Sequence, residues 1–473
     1  MTQPRVYLLN PQSLTPETIA VAFAKTSRSP EAFDVIAADL TETRSSEFHE
    51  KWVVGYGHAS VAEHAVLHLA VENISRLAVE CLESNRLASY TEKSSRYQKW
   101  HSNSFHSPIE LQNNPLQETY HQTCKMLFES YLHSLPLVEA VVKKENPQEK
   151  NETITAWERR IRSEYIDVSR YYLPSSSLAN VGVTINARAL AHALRKMLSN
   201  PLVEVQQMGE AIKKISLEEV PTLLKYVDPV PYLQNIQPAL KQAIGNFHTA
   251  PTNSYDWCKL VDYDPEGETK VLAAALYRYD NISFSQALEL IQAMNAEQKR
   301  SLAEIVLGTM AKHDIPIREL EYTNLTFDVC IDQGAYFELK RHRMMTQSVQ
   351  NLTVKHGYAV PRRITTAGLE DEYHHAMAAA AVTYHKIYEF APEAAAYVVP
   401  NAYNRRVLLS MNMRSAIHLL NLRAASNAHF AIRRLARRME EQIKSVYPLL
   451  GTYLPLQPVE TVSSIEQDYF SQT

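Results

Sequence analysis

Glycine is scarce in this sequence, at 11 of 473 residues. A loop that cradles phosphate with backbone amides needs several glycines close together. The lone "GYGH" at 55–58 does not have the dinucleotide spacing. A nucleotide held here must therefore be gripped by side chains, chiefly Arg, Ser and His. Cysteine is scarcer still. Cys81, Cys124, Cys258 and Cys330 are widely separated and form no CxxC pair. That spacing offers neither a disulfide framework nor a zinc site, and it fits a reducing compartment. The start, "MTQPRVYLLN", lacks the charged-then-apolar order of a secretory signal. No apolar run approaches the roughly 18–20 residues that span a bilayer. A cytoplasmic protein with no membrane contact and no metal is the expectation. Excess positive charge is missing too: 48 Lys and Arg face 52 Asp and Glu, a formal charge of −4. This argues against a long nucleic-acid footprint.

What is present looks globular, with 45% apolar and 21% charged residues. The length is too great for one ordinary core and implies two or three domains. The chain also states its features twice. "AVLHLAVE" (65–72) alternates like a half-buried strand and leads into "NISRLAVECLESNRLAS"; "NLTFDVCID" (324–332) alternates likewise and leads into "QGAYFELKRHRMMTQ". Asn73 and Asp332 stand where helix N-caps are wanted. Aligning these segments pairs Arg86 with Arg343 (343 − 86 = 257), and His58 with His313 at an offset of 255. Further on, "TINARALAHAL" faces "SMNMRSAIHLL", and Asn186 pairs with Asn412 at an offset of 226. "SRYYLP" (169–174) and "AAYVVP" (395–400) are matching tyrosine-rich turns ending in proline. The falling offset places about 31 extra residues in the first half, within the polar helical stretch 110–160. The expected division is a first domain over 1–235, a linker over 236–254 and a second domain over 255–473.

Two strings carry chemistry. In "RHRMMTQ", Arg341, His342 and Arg343 fall within one helical turn and offer planar forks for phosphate or a carbonyl-rich ring. In "NMRSAIHLLNLR", Arg414, His418 and Asn421 share one helix face, with Asn412 before them and Arg423 beyond. "IRRLARR" (432–438) reads as an ordinary solvated face.

"GHASVAEH", "SNRLASYTEKSSRY", "SRYYLP" and "NARALAH" in the first half, with "RHRMMTQ" and "NMRSAIHLLNLR" in the second, resemble the flavin-dependent thymidylate synthases (the ThyX family). The signature of that family is RHR, seven residues, then Ser. The resemblance covers most of both halves and implies an α+β fold of two tandem ThyX-like domains, each a mixed sheet packed with long helices. It further implies FAD as cofactor, with NADPH and methylenetetrahydrofolate as co-substrates. The implied reaction is reductive C5 methylation of dUMP, in a homodimer that forms a pseudo-tetramer.

The halves depart from the family pattern in opposite ways. The first reads Ser84-Asn85-Arg86 for RHR but keeps the nucleotide end: Glu92, Ser94, Ser95, Arg96 and Arg170. Met197 stands at its catalytic-arginine position. The second keeps Arg341, His342, Arg343, Asn412, Arg414 and His418, which the resemblance assigns to the flavin together with Glu92. It also keeps Arg423, the catalytic arginine, but has Asn351 for the serine and Ala396 for Arg170. The resemblance thus implies one complete composite site, in which Arg423 and Ser94 are catalytic. It also implies a dead mirror made of Ser84, Asn85, Met197, Asn351 and Ala396. A pseudoenzyme that binds nucleotide or flavin, and a flavin enzyme acting on another pyrimidine, are the alternatives.

Overall fold

The structure, a computed structural model, describes residues 5, 7, 9, 14–27, 29–55, 59–96, 98–245, 256–311, 314–454 and 460–471. His58 and His313, the pair at offset 255, lie outside them. Strands β1 (Val66–Ser75), β2 (Ala88–Glu92) and β3 (Leu178–Asn186) form one sheet in the order β1-β3-β2. Strands β4 (Cys258–Tyr263), β5 (Leu325–Asp332), β6 (Thr346–Val349) and β7 (Asn404–Met411) form the other, in the order β4-β5-β7-β6. The β5-β7-β6 core repeats the first sheet's order. The α+β class holds, and within it every described strand pair is antiparallel rather than mixed. Along β3, β5, β7 and the first half of β1, buried residues alternate with more open ones, so one face of each sheet is left for helices to cover.

Helix starts obey the repeat closely. Asp332 Oδ1 accepts the Ala335 amide at 2.7 Å and caps the helix Gln333–Leu339. The first-half cap is Ser75, not Asn73: Ser75 Oγ accepts the Ala78 amide at 3.0 Å, ahead of the helix Arg76–Glu83. Ser75 and Asp332 differ by 332 − 75 = 257, the offset that pairs Arg86 with Arg343. Asn73 instead has φ of 58° where the β1–β3 register shifts, so it belongs to a bulge. Asn186 and Asn412 both cap the helices after β3 and β7, each accepting an amide three residues on at 2.9 Å.

The extra residues of the first half extend a helix and add another. Pro115–Glu145 runs 31 residues, where the second half has Glu370–Phe390 with 21, and Ile154–Ser169 follows it. The long helix packs beside Glu370–Phe390, with the Thr123 and Thr383 hydroxyls 2.8 Å apart. The two halves therefore share a core: Tyr120, Phe128, Tyr131, Ile166 and Tyr172 sit in one apolar cluster with Phe327, Tyr373, Met377 and Tyr397.

At the centre the two proline turns pair with each other. Pro174 and Pro400 form an antiparallel bridge. Ser175 N donates to Val399 O at 2.9 Å, and Asn401 N to Leu173 O at 3.0 Å. These two bonds are equivalents at offset 226, so a pseudo-two-fold axis passes between the turns. Residues 231–244 of the connecting region form a helix with no buried residue, and 246–255 fall outside the described residues.

Two further expectations change. RHR is not helical, because the helix ends at Leu339 and Arg341–Arg343 occupy the turn before β6. Nor is 432–438 a solvated face. Arg433 and Arg437 are buried on the helix Phe430–Val446. Arg433 pairs with Glu460 at 3.0 Å, and Arg434 lies 4.3 and 4.2 Å over the rings of Trp257 and Phe470. Carboxylate and aromatic partners far away in sequence make that burial tolerable.

Candidate active site

The turn that ends the proline motif and the turn after Leu339 bring charged side chains from both halves together. From the first half, Arg96 forks onto Asp167, with Nη2–Oδ2 at 2.7 Å, while its Nη1 donates to Asn427 O at 3.0 Å. Arg170 is 2% exposed, and its Nη1 donates to Ser95 Oγ at 3.2 Å. Ser94 Oγ accepts the Arg96 amide at 3.2 Å, which shapes the turn that aims Arg96. From the second half, Arg423 Nη1 meets Glu338 Oε2 at 3.0 Å. The other Glu338 oxygen lies 3.9 Å from Arg170 and 4.0 Å from Arg96. Glu338 thus joins arginines of both halves. Beside it, Glu92 is clasped by Arg76 and by Arg341, whose Nη2 is 3.3 Å away. Arg76 in turn lies 4.1 Å over the Phe337 ring.

The electrostatics are unbalanced. Among the described residues, five guanidiniums (Arg76, Arg96, Arg170, Arg341, Arg423) face three carboxylates (Glu92, Asp167, Glu338). Uncompensated buried charge is costly, and a phosphate monoester carries about two negative charges at neutral pH. Arg170 Nε and Nη2 are buried and make no hydrogen bond among the described residues, standing 3.4 Å from Asp167 Oδ1 and 3.9 Å from Glu338 Oε1. Burial alone would raise the Glu92 carboxyl, but Arg76, Lys340 and Arg341 outweigh it and hold it below its usual range. His342 is 7% exposed, and burial, helped by the charges of Arg423 and His418, pushes its pKa down to about 3. It is a neutral imidazole. Its Nε2 accepts from Arg423 Nε at 2.8 Å, which leaves the ring proton on Nδ1.

The remaining sequence-derived residues divide. His418 packs edge-on against His342 with centroids 5.6 Å apart. Arg343 turns away from the cluster, donating to Arg86 O at 2.8 Å across the axis. Asn412 is occupied by its capping bond. Arg414 pairs with Glu321 at 2.7 Å and donates to Pro316 O at 3.0 Å, which engages it outside the cluster. Sequence reasoning missed Arg76, Asp167 and Glu338. The available signal was a lone charge inside an otherwise apolar helical run, as in "AYFEL" and "IDVS".

A family model described as "Thymidylate synthase complementing protein" matches the chain twice, over residues 9–222 and 259–449. A UPF0159 protein of Chlamydia muridarum is 30% identical over 447 residues, covering 90% of this chain and 84% of the relative. A UPF0159 protein of Thermoplasma acidophilum is 27% identical over 443 residues, covering 87% and 88%. A flavin-dependent thymidylate synthase of Clostridium tetani is 25% identical over 215 residues, which is 45% of this chain and 83% of that protein.

Proposed function

Because this chain belongs to the thymidylate synthase complementing protein family, matched once by each half, we propose that it is an FAD-dependent, thymidylate synthase-like enzyme. It methylates C5 of deoxyuridylate reductively at the charged cluster that the two halves build together. The observation that carries this reading is the convergence of Arg96 and Arg170 from one half with Arg341 and Arg423 from the other around Glu338 and Glu92.

The residues suit their roles. Arg170, whose Nε and Nη2 make only long ion pairs to Asp167 and Glu338, and Arg96 grip the nucleotide phosphate, and Ser94 and Ser95 shape that grip. Arg423 faces the pyrimidine edge, where negative charge grows on N3 and O2 as C5 becomes nucleophilic. A fixed guanidinium stabilises that charge without giving up its proton. Neutral His342 holds the Arg423 Nε and so orients the fork. Arg341 is half exposed and makes a single long bond to Glu92, so its other donors remain for flavin carbonyl or phosphate oxygens. Of the other residues that family resemblance assigns to the flavin, His418 stands beside His342, while Arg343, Asn412 and Arg414 are engaged outside the cluster. Bound reduced flavin supplies the hydride and helps carry the methylene group, with NADPH and methylenetetrahydrofolate as co-substrates. Two chains pair to give four family domains, in the reducing cytoplasm that four free cysteines suit.

A second reading keeps the chemistry and changes the pyrimidine. Glu338 Oε1 makes no hydrogen bond, and a carboxylate oxygen there can accept from the exocyclic amine of a cytosine. Release of tritium from C5 of labelled dUMP and dCMP, with NADPH and methylenetetrahydrofolate, decides between them. A preparation that stays colourless after FAD is added would refute both and leave a protein that only binds nucleotide.

A further inference from the structure

The repeat that assembles the candidate active site also generates its counterpart across the pseudo-two-fold axis. There, Thr353, Ala396, Ser84 and Met197 hold the positions of Arg96, Arg170, Arg341 and Arg423, while Cys81 and Val349 hold those of Glu338 and Glu92. This counterpart has not collapsed. It is a cavity of about 600 Å3 lined by Ser84, Arg86, Arg343, Asn351, Lys355 and Tyr388 among others. That size is ample for a small-molecule ligand.

Its charges are of two kinds. Lys340, Arg405 and Lys241 are paired with Glu83, Glu80 and Glu393 at 2.8, 2.7 and 3.1 Å. Arg86, Arg343 and Lys355 have no carboxylate partner among the described residues. Arg86 donates only to Met345 O and Thr346 Oγ1, at 3.2 and 3.1 Å, and Arg343 to Arg86 O. Lys355 lies 6.0 Å from the Tyr388 ring, which stacks on Tyr384 at 5.7 Å and 25°. Three uncompensated cations in one recess attract a multiply charged anion. The tyrosine pair offers a ring face on which a heterocycle can stack.

We propose that this cavity is a second ligand site, which binds a phosphorylated aromatic heterocycle of the nucleotide class and releases it unchanged. Met197 is wholly buried in the core where a catalytic arginine would stand. Burial pushes the Cys81 thiol up to about 11, which keeps it a protonated, poorly nucleophilic thiol at neutral pH. The cavity's chemistry does not depend on the reaction assigned to the other site.

Calorimetric titration of the full chain with UMP, and with uridine as the phosphate-free control, tests this. One UMP site should survive Arg170→Ala. That site should weaken at least about tenfold in Lys355→Glu and in Arg86→Glu, the loss of one charge-assisted contact, and it should not take uridine. Both reversals fall at exposed positions, so the fold is retained. If no UMP site responds to either reversal, or none remains in Arg170→Ala, the proposal is overturned. If the Lys355-sensitive site appears while dUMP releases no tritium, the proposed reaction falls and the second site stands.

Discussion

The two halves share strand order, capping positions and a pair of symmetry-related proline-turn bonds, yet they carry different charged side chains at equivalent positions. The first retains Arg96, Arg170 and the hydroxyls that place them. The second retains Arg341, His342 and Arg423. The scaffold has been conserved more evenly than the site: Asn186 and Asn412 make the same capping bond at the same 2.9 Å, while eleven residues further on one helix carries Met197 and the other Arg423. Capping bonds hold up each half separately. Under the proposed reaction, site residues are needed only once per pair, so a duplicated domain can divide a function without dividing its fold.

The sharpest way to break the comparison is to truncate equivalent positions. Arg423→Ala should lower the C5 proton-exchange rate by roughly 100- to 1,000-fold, while Met197→Leu leaves it unchanged; equal effects would refute the asymmetry. Arg170→Ala should raise the nucleotide KM by roughly tenfold to a hundredfold with less effect on kcat, and Ala396→Ser should do nothing. Acid sharpens the contrast through His342. Below pH 6.5 the unfolded chain takes up a proton that the folded ring refuses until about pH 3. Stability should therefore fall as pH drops through that window, by on the order of a few kcal/mol. His342→Gln should flatten the acid limb of denaturation midpoints measured from pH 7 to 4. Caps should behave alike: Asn186→Ala and Asn412→Ala should each cost about 1 kcal/mol in chemical unfolding. The smallest effect is expected for Ser84→Arg, which restores a family letter on the wrong side of the axis and should not raise turnover.

Much of this was legible in the sequence because repeats expose themselves by register. The pairing of Arg86 with Arg343 and of Asn186 with Asn412, the two proline turns, and the place of the extra residues all follow from aligning the chain with itself. The N-cap slipped from Asn73 to Ser75 because a bulge in β1 consumes residues that alternation alone cannot count. Arg433 and Arg434 were misjudged as solvated because their partners Glu460, Trp257 and Phe470 are far off in sequence. Glu338 was overlooked for the same reason. A carboxylate in a short helix says nothing until arginines from both halves close on it. Pairing rules read locally, whereas buried charge is settled by distant neighbours.

The bridge between Pro174 and Pro400 has a consequence for assembly. Were the two halves separate polypeptides, like could pair with like, and such pairs would lack either Arg423 or Arg170 altogether. Covalent fusion presents each half with its complement at the effective concentration of a tethered partner, in the millimolar range for short flexible links, whatever the abundance of the protein. The turns at the axis then act as a stoichiometry lock: every chain made carries one of each half, and heterotypic pairing needs no further selectivity at the interface.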